Sequence, residues 1–278
     1  MVLNMALKMI TVLSLVLASC LSQADAADEA CGEIDLRQDL CPSGQPRLPA
    51  LRNQGNTNYC FAYTLTDYYS FLTCSNLSGL SAGLLTNLAA FEADPTNDKS
   101  GQPLSAERLN RGSTIENADR QLRARGGICT EQDYSSDREE IGGKPEDSLD
   151  AFLEPIWQNR DQPNVLNCTP QALPSLTWRT LLNYDANIRH TIHDELSHHR
   201  PVPIDYPGEV VSVAKLAPRS QPSHYVMIVG KKRIDGVCHL LVRDPTPVTE
   251  TPWVTDNGYV WVPETKMIEQ IREVSIGQ

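Results

Sequence analysis

The sequence lacks a hydrophobic run long enough to cross a bilayer, which takes about 20 residues. The apolar stretch near its start covers only residues 9–18. A run of this length that follows Lys8 is typical of the core of a signal peptide. No later stretch is longer or more apolar, so the sequence predicts an exported protein with no membrane-spanning helix.

Positive charge is also scarce. The chain has 24 Lys and Arg residues against 35 Asp and Glu residues, so its formal net charge is 24 − 35 = −11. A nucleic-acid groove needs clustered Lys and Arg. The short cluster Lys231-Lys232-Arg233 is more typical of a solvated turn, so no nucleic acid is expected as a partner.

The sequence has no internal repeat, no low-complexity tract and no set of His and Cys residues at metal-ligand spacing. We therefore expect neither a metal nor an organic cofactor. Hydrophobic residues make up 40% of the chain and four Trp are present, which is typical of a folded globule. Its 278 residues suit one large domain or two smaller lobes.

Two export signals can be read at the N-terminus. Residues 24–26 (Ala-Asp-Ala) fit ordinary signal-peptide cleavage, whereas residues 17–20 (Leu-Ala-Ser-Cys) resemble a bacterial lipobox. In the second reading Cys20 carries a lipid, which would be the protein's membrane contact. Both readings place the protein in the periplasm, at the cell envelope or outside the cell. We predict a signal peptide at 1–26, an N-terminal arm at 27–45 and one folded domain at 46–278.

The cysteine count fits an oxidising compartment. The sequence has eight Cys, and setting Cys20 aside leaves an odd number, so one thiol lacks a partner. The other six allow three disulfides in several pairings. Cys31 and Cys41 are near enough in sequence to close a small loop together, and we expect them to pair.

The distribution of hydrophobic residues predicts an α+β protein of two lobes, with helices in the first half and strands in the second. The expected helices are Cys60–Cys74 with Asn58 as N-cap, Leu80–Phe91, a helix from the capping box Ser113–Glu116 to Gly126, and Tyr184–Ser197. The expected strands are Tyr225–Val229, Cys238–Val242 and Tyr259–Val262, and Pro201–Ile204 is expected to be a short extended piece before them. We interpret Glu92–Asn110 as a surface insertion and Asp133–Pro174 as loop with short elements.

Cys60 is the first candidate for chemistry. It lies in the first turn of a predicted helix, where the helix dipole and free amides lower the pKa of a thiol. The string around it, residues 51–63 (Leu-Arg-Asn-Gln-Gly-Asn-Thr-Asn-Tyr-Cys-Phe-Ala-Tyr), resembles the nucleophile segment of papain-like cysteine peptidases. Asn53, Gln54, Gly55, Cys60 and Ala62 match that segment at its spacing. The resemblance implies that Cys60 is the nucleophile and that Gln54 donates to the oxyanion.

The resemblance extends to a histidine and its partner. Of six His in the chain, His224 opens a strand similar to the family's His-Ala-Val-x-x-Val-Gly, which implies that it is the general base. Asp244 stands where the family usually has the Asn that orients the histidine. The remaining histidines are interpreted as solvated side chains on a polar helix, His190, His193, His198 and His199, or as a satisfied strand residue, His239.

The resemblance covers roughly residues 33–265 and implies a papain-like two-lobed fold, with a helical N-terminal lobe and an antiparallel, β-barrel-like C-terminal lobe. It implies hydrolysis of peptide or protein substrates through a Cys60 thioester. Gly112, Ser113 and Ser223 are the expected substrate-binding residues.

The sequence departs from the family at four points. Thr57 replaces a disulfide cysteine, Phe61 replaces a Trp, Asp244 replaces the Asn, and the region before the domain is too short for a long inhibitory segment, so the 27–45 arm becomes a candidate for latency. These departures motivate one alternative, a peptide-binding protein on the same fold with weak or no catalysis. The oligomeric state is left open.

Overall fold

The computed structural model of the chain describes residues 31–55, 57–93, 111–136, 166–207, 223–246 and 251–278. The predicted signal peptide, Cys20, most of the 92–110 insertion and most of the 133–174 loop lie outside these residues. The described part contains helices and one antiparallel sheet. The predicted α+β class is therefore confirmed.

Among the described residues, the first half contains the helices α1 (Cys60–Thr73), α2 (Gly79–Glu92) and α3 (Ile115–Ala124). Helix α1 is buried around its circumference from Cys60 to Phe71, because apolar residues cover almost all of it. Its N-cap is Tyr59, with no side-chain cap bond, so the prediction of Asn58 is wrong by one residue. Helix α2 packs against this start so closely that a Cβ on Gly83 would lie 2.3 Å from the Tyr59 ring.

The cap of α3 is also displaced by one residue from the prediction. Thr114, not Ser113, is the N-cap, and its side chain accepts from the backbone N–H of Asn117. Glu116 therefore falls in the first turn, one place before the capping-box position, where its charge still favours the positive end of the helix dipole. This placement leaves its carboxylate free to reach the sheet.

The sheet has the strand order β2-β8-β3-β4-β5-β7-β6, and β1 pairs with β4. The strands are β1 (Ile34–Asp35), β2 (Trp178–Leu182), β3 (Val202–Pro207), β4 (Ser223–Ile234), β5 (Val237–Arg243), β6 (Val254–Asp256), β7 (Tyr259–Pro263) and β8 (Glu273–Gly277). The three predicted strands correspond to β4, β5 and β7, and the predicted extended piece overlaps β3. In the register, Tyr206 lies opposite His224 and Asp205 lies opposite Tyr225.

In the part of the chain that the structure describes, the helices α4 (Ile188–Ser197) and α5 (Glu264–Ile268) flank the sheet. Helix α4 begins four residues later than the predicted start at Tyr184, because an Asp185 turn precedes it. His193 on α4 was interpreted as a solvated residue, and that interpretation is wrong. Its side chain is buried, with Nε2 2.5 Å from Oε1 of Glu264. The hydrogen bond with Glu264 offsets the free-energy cost of burying the polar ring of His193.

The buried residues form two cores. One core lies between the helices α1, α2 and α3. The other lies between the sheet, α4 and α5. Helix α1 contacts both, and the Thr64 hydroxyl donates to the carbonyl of Tyr225 on β4. The start of α1 therefore lies beside the start of β4.

The disulfides are Cys31–Cys238, Cys41–Cys74 and Cys129–Cys168. The predicted Cys31–Cys41 pair is wrong, because each of these cysteines reaches a partner that is distant in sequence and near in the fold. The Cys31–Cys238 and Cys41–Cys74 bridges, together with the pairing of β1 and β4, attach residues 31–45 to the rest of the fold. Three disulfides are typical of a protein that matures in an oxidising compartment.

The helices of the described residues are all too short or too polar to cross a membrane.

Candidate active site

Cys60 is the free cysteine of the described chain. It is the first residue of α1, and only 8% of it is exposed. The first N–H groups of a helix have no partner within the helix and carry partial positive charge. This end of α1 is therefore suited to stabilise a thiolate at Cys60 and a negative oxygen next to it.

His224 lies next to Cys60 at the start of β4. Its Nε2 is 2.8 Å from Oδ1 of Asp244, which leaves the other ring nitrogen for the thiol. Burial by itself lowers the pKa of His224, but the Asp244 carboxylate and the hydrogen bond with Cys60 raise it, to about 10. At neutral pH the ring is therefore an imidazolium between a carboxylate and the Cys60 sulfur.

Asp244 is held from two more directions. Its Oδ1 accepts from the backbone N–H of Thr246 at 2.7 Å, and its Oδ2 accepts from the Tyr206 hydroxyl at 3.1 Å. Burial, followed by the nearby Asp244 charge, raises the pKa of Tyr206 well above its ordinary value, so the hydroxyl stays a donor. Sequence analysis missed Tyr206, since a Tyr in a buried strand carries no local sign of its partner.

Gln54 lies in a tight turn just before α1, and only 8% of it is exposed. Its backbone N–H donates to the carbonyl of Pro245 at 2.8 Å, and its side-chain Nε2 donates to the carbonyl of Thr57 at 2.9 Å. The first bond ties this turn to the residue after Asp244. One N–H of the amide is thus used within the turn and the second is left for another acceptor.

A buried ion pair fixes the helix of Cys60 against the strand of Asp244. Asp67 on α1 accepts from Nε of Arg243 at 2.5 Å, and it also pairs with Arg52. Arg243 immediately precedes Asp244 and further donates to the Tyr259 hydroxyl at 2.6 Å. Burial favours a neutral Asp67, but Arg243 and Arg52 together lower its pKa. Sequence analysis missed this pair as well.

The expected substrate-binding residues directly precede α3 and lie at the start of β4. Gly112 is exposed and Ser113 partly exposed, just before α3, where the Ser113 hydroxyl accepts from the side chain of Asn117. Ser223 directly precedes His224, is exposed, and donates to Oδ2 of Asp205 at 2.9 Å. The structure thus brings Cys60, His224 and Asp244 together, with Gln54 bonded to the residue after Asp244 and Ser223 next to His224 in the chain.

One group of described side chains has ligand atoms at metal-binding distances: His193, Cys238 and Glu264. The Cys238 sulfur is in a disulfide with Cys31. A disulfide sulfur is not the thiolate that a metal needs, so this group does not make a metal site in the folded, oxidised protein.

No protein-family model and no curated protein matches the chain. Solved structures do. A structure from work on the mite allergens Blo t 1 and Der p 1 is similar with a TM-score of 0.56 and 18% identity, over 88% of this chain and 70% of that one. The structure of digestive procathepsin L2 proteinase from the larval midgut of Tenebrio molitor is similar with a TM-score of 0.54 and 14% identity, over 88% of this chain and 67% of that one.

Bromelain protease from Ananas comosus, in complex with the E64 inhibitor, is similar with a TM-score of 0.51 and 12% identity, over 87% of this chain and 96% of that one. These neighbours are papain-like cysteine peptidases, and identities this low establish the fold alone. The chain has the two-lobed papain-like fold, which confirms the predicted architecture.

Proposed function

We propose that the protein is an exported cysteine peptidase that hydrolyses peptide bonds of peptide or protein substrates. The observation that carries the proposal is the contact of the unpaired Cys60 thiol, at a helix N-terminus, with His224, which Asp244 in turn orients. A disulfide-rich protein has little structural use for a single buried thiol beside an imidazolium. The same three groups in this order can activate the thiol and shuttle a proton.

In the proposed reaction, the Cys60 thiolate attacks the scissile carbonyl carbon. The negative oxygen that forms is stabilised by the backbone N–H of Cys60 and the remaining amide N–H of Gln54. The His224 imidazolium gives its proton to the leaving amine, and the carbon–nitrogen bond breaks to leave a thioester. His224 then takes a proton from water, which attacks the thioester, releases the acid and restores the thiolate.

We also propose roles for the segments outside the catalytic residues. Residues 1–26 act as the export signal, with or without lipid attachment at Cys20, and residues 46–278 form the peptidase domain. The three disulfides support a periplasmic, cell-envelope or extracellular location. No metal or organic cofactor takes part in the proposed steps. Gly112, Ser113 and Ser223 are proposed to contact the substrate.

One rival function is a protein that binds peptides in the same cleft without cutting them. Two departures from the family favour it: Asp244 stands in place of the Asn, and Pro245-Thr246-Pro247 stands where the family has the Trp that shields the Asn–His pair. The rival differs in what it requires of Cys60, because a binding protein has no need for a reactive thiolate. Thiol reactivity therefore separates the two functions.

Labelling of the folded protein with E64, the inhibitor present in the bromelain structure, should modify Cys60 with one equivalent, as measured by intact-protein mass spectrometry. The physical reason is that the imidazolium of His224 and the start of α1 favour the thiolate. The Cys60→Ala variant is the matched control and should remain unlabelled. A folded wild-type protein with a titratable thiol that resists E64 would favour the binding protein.

A further inference from the structure

Three carboxylates lie together beside the candidate active site, and none has a part in the proposed reaction. They are Asp205 on β3, Glu273 on β8 and Glu116 in the first turn of α3. Asp205 and Glu273 are register partners on adjacent strands. The hydroxyl oxygen of Ser275 lies between two of the carboxylates, 2.9 Å from Oε1 of Glu116 and 3.3 Å from Oε1 of Glu273, and it has one proton to share between these acceptors. We refer to these three residues as the acidic cluster.

Asp205 is the most deeply buried member of the acidic cluster, and only 7% of it is exposed. Its Oδ2 accepts from Ser223, but its Oδ1 is buried and has no hydrogen-bond partner among the described residues. Leaving a carboxylate oxygen dry and unpaired is costly. Besides Ser223, the backbone N–H of His224 also acts on this carboxyl group, and a donor from a substrate would complete the pairing of Oδ1.

The charges of the cluster are incompletely compensated. Burial raises the pKa of Asp205, although the Ser223 hydroxyl, the Arg272 charge and the backbone N–H and charge of His224 partly offset this. Burial and then the Glu116 charge raise the pKa of Glu273. Arg272 itself lies at the rim, where its Nη1 is 3.3 Å from the Ser223 hydroxyl. An added cation would therefore be attracted to the cluster and would stabilise the charged carboxylates.

The position of the cluster connects it to the substrate path. Ser223, which touches Asp205, is the chain neighbour of His224, and Glu116 follows shortly after Gly112 and Ser113. A peptide that contacts both Ser223 and the Gly112–Ser113 segment, as proposed above, would pass next to the cluster. Exposure falls from Ser223 at the rim, through the half-buried Glu116 and Glu273, to Asp205 at the base.

We propose that the acidic cluster binds a Lys or Arg side chain of the substrate and so makes the protein selective for basic residues at one position near the cleaved bond. This inference rests on the proposed peptidase function. A Lys or Arg side chain is long enough to bring its charge past the rim, and it carries the donors that the Oδ1 of Asp205 lacks. Neutral and acidic side chains supply neither the charge nor, for the most part, the donors.

A library of internally quenched peptides, varied one position at a time, tests the proposal. The wild-type protein should cleave peptides with Lys or Arg at one position at least about tenfold faster, in kcat/KM, than peptides with norleucine there. The variants Asp205→Asn and Glu273→Gln keep the shape and most hydrogen-bond capacity but lose the charge. Each should reduce this ratio severalfold, and the double variant should bring it close to one.

Glu269→Gln is the matched control, because it removes one negative charge from an exposed residue on the loop after α5. It should leave the ratio of Lys to norleucine cleavage unchanged. A wild-type protein with no basic preference at any position would overturn the proposal. So would a preference that persists in the Asp205→Asn, Glu273→Gln double variant.

The proposal is also tested when the protein cuts no peptide at all. Peptides with Lys or norleucine are titrated into the Cys60→Ala variant, with and without Asp205→Asn, and binding is followed by fluorescence anisotropy. Tighter binding of the Lys peptide that is lost with Asp205→Asn would support the acidic cluster even if the peptidase reaction fails. Equal affinity for the two peptides would contradict it, whatever the protein catalyses.

Discussion

Replacement of His224 by alanine should lower kcat/KM for peptide hydrolysis by about 10²–10⁴-fold, the usual contribution of a positioned general acid and base. His224 both stabilises the Cys60 thiolate and gives the proton to the leaving amine, so no neighbouring group replaces it. The measurement is the hydrolysis rate of a fluorogenic peptide by folded samples of equal concentration. His198→Ala, at an exposed histidine after α4, is the control and should retain the wild-type rate.

The pH dependence of the wild-type reaction should report the same histidine. The pKa of His224 is raised to about 10, with the Asp244 carboxylate as the main group that raises it against the effect of burial. The proton on His224 is therefore present at neutral pH and lost as the pH rises through its pKa, and kcat/KM should fall there. Asp244→Asn removes the charge, so the alkaline limb should move to lower pH. An unchanged alkaline limb would contradict the role given to Asp244.

Replacement of Asp67 by alanine should destabilise the protein by about 3–5 kcal/mol, the usual cost of leaving one partner of a buried ion pair alone. Arg243 is only 1% exposed and would keep its charge without a carboxylate beside it. The measurement is the free energy of unfolding from denaturant titration with the disulfides intact. The transition should shift to lower denaturant, and activity should fall with it, because Asp67 links the helix of Cys60 to the strand that ends at Asp244.

Two comparisons make the Asp67 prediction specific. Asp194→Ala removes an acidic residue that is half exposed on α4 and should change the free energy of unfolding by less than about 0.5 kcal/mol. The pKa of folded Asp67 lies below its unfolded value, so its contribution is present above the unfolded pKa and is lost as the pH falls through the folded one. The difference between wild type and Asp67→Ala should therefore shrink in acid. A constant difference at all pH values would count against the ion pair.

The features that could be predicted from the sequence are those encoded by neighbouring residues. The helix after Cys60 follows from apolar residues at helical spacing, and the strand after His224 follows from a run of Val, Ile and Met. The unpaired thiol follows from the odd number of cysteines that remains when Cys20 is set aside. Placing Cys60 opposite His224 needed the resemblance to a family, because no local pattern says which two distant segments meet.

The features that were missed depend on contacts between distant segments. Cys31 bonds to Cys238 because β1 pairs with β4, a pairing of two residues that leaves no hydrophobic pattern in the sequence. Strand β8 was missed because its first residue is the charged Glu273 and only a short alternating run follows. His193 is polar and lies on a polar helix, so its burial depends on Glu264, which is far along the chain.

The ionic and polar support of the site was missed for the same reason. A lone Asp67 on an apolar helix does not reveal that Arg243 will meet it, and Tyr206 does not reveal that Asp244 will accept its hydroxyl. Such partners lower the free-energy cost of burying charge. They come from distant segments of the chain, so the contacts exist only once the two lobes have packed together. The acidic cluster belongs to this class as well, since its members come from α3, β3 and β8.

The central claim is that Cys60 is the nucleophile of a peptidase. The most direct measurement is hydrolysis of a broad peptide library by the purified mature chain under mild reductant, beside Cys60→Ala prepared in the same way. The account predicts turnover by the wild-type protein and none by the variant, with both samples folded. Turnover that survives in Cys60→Ala would show that Cys60 is not the nucleophile, and a folded wild-type protein with a titratable thiol and no turnover would contradict the peptidase function.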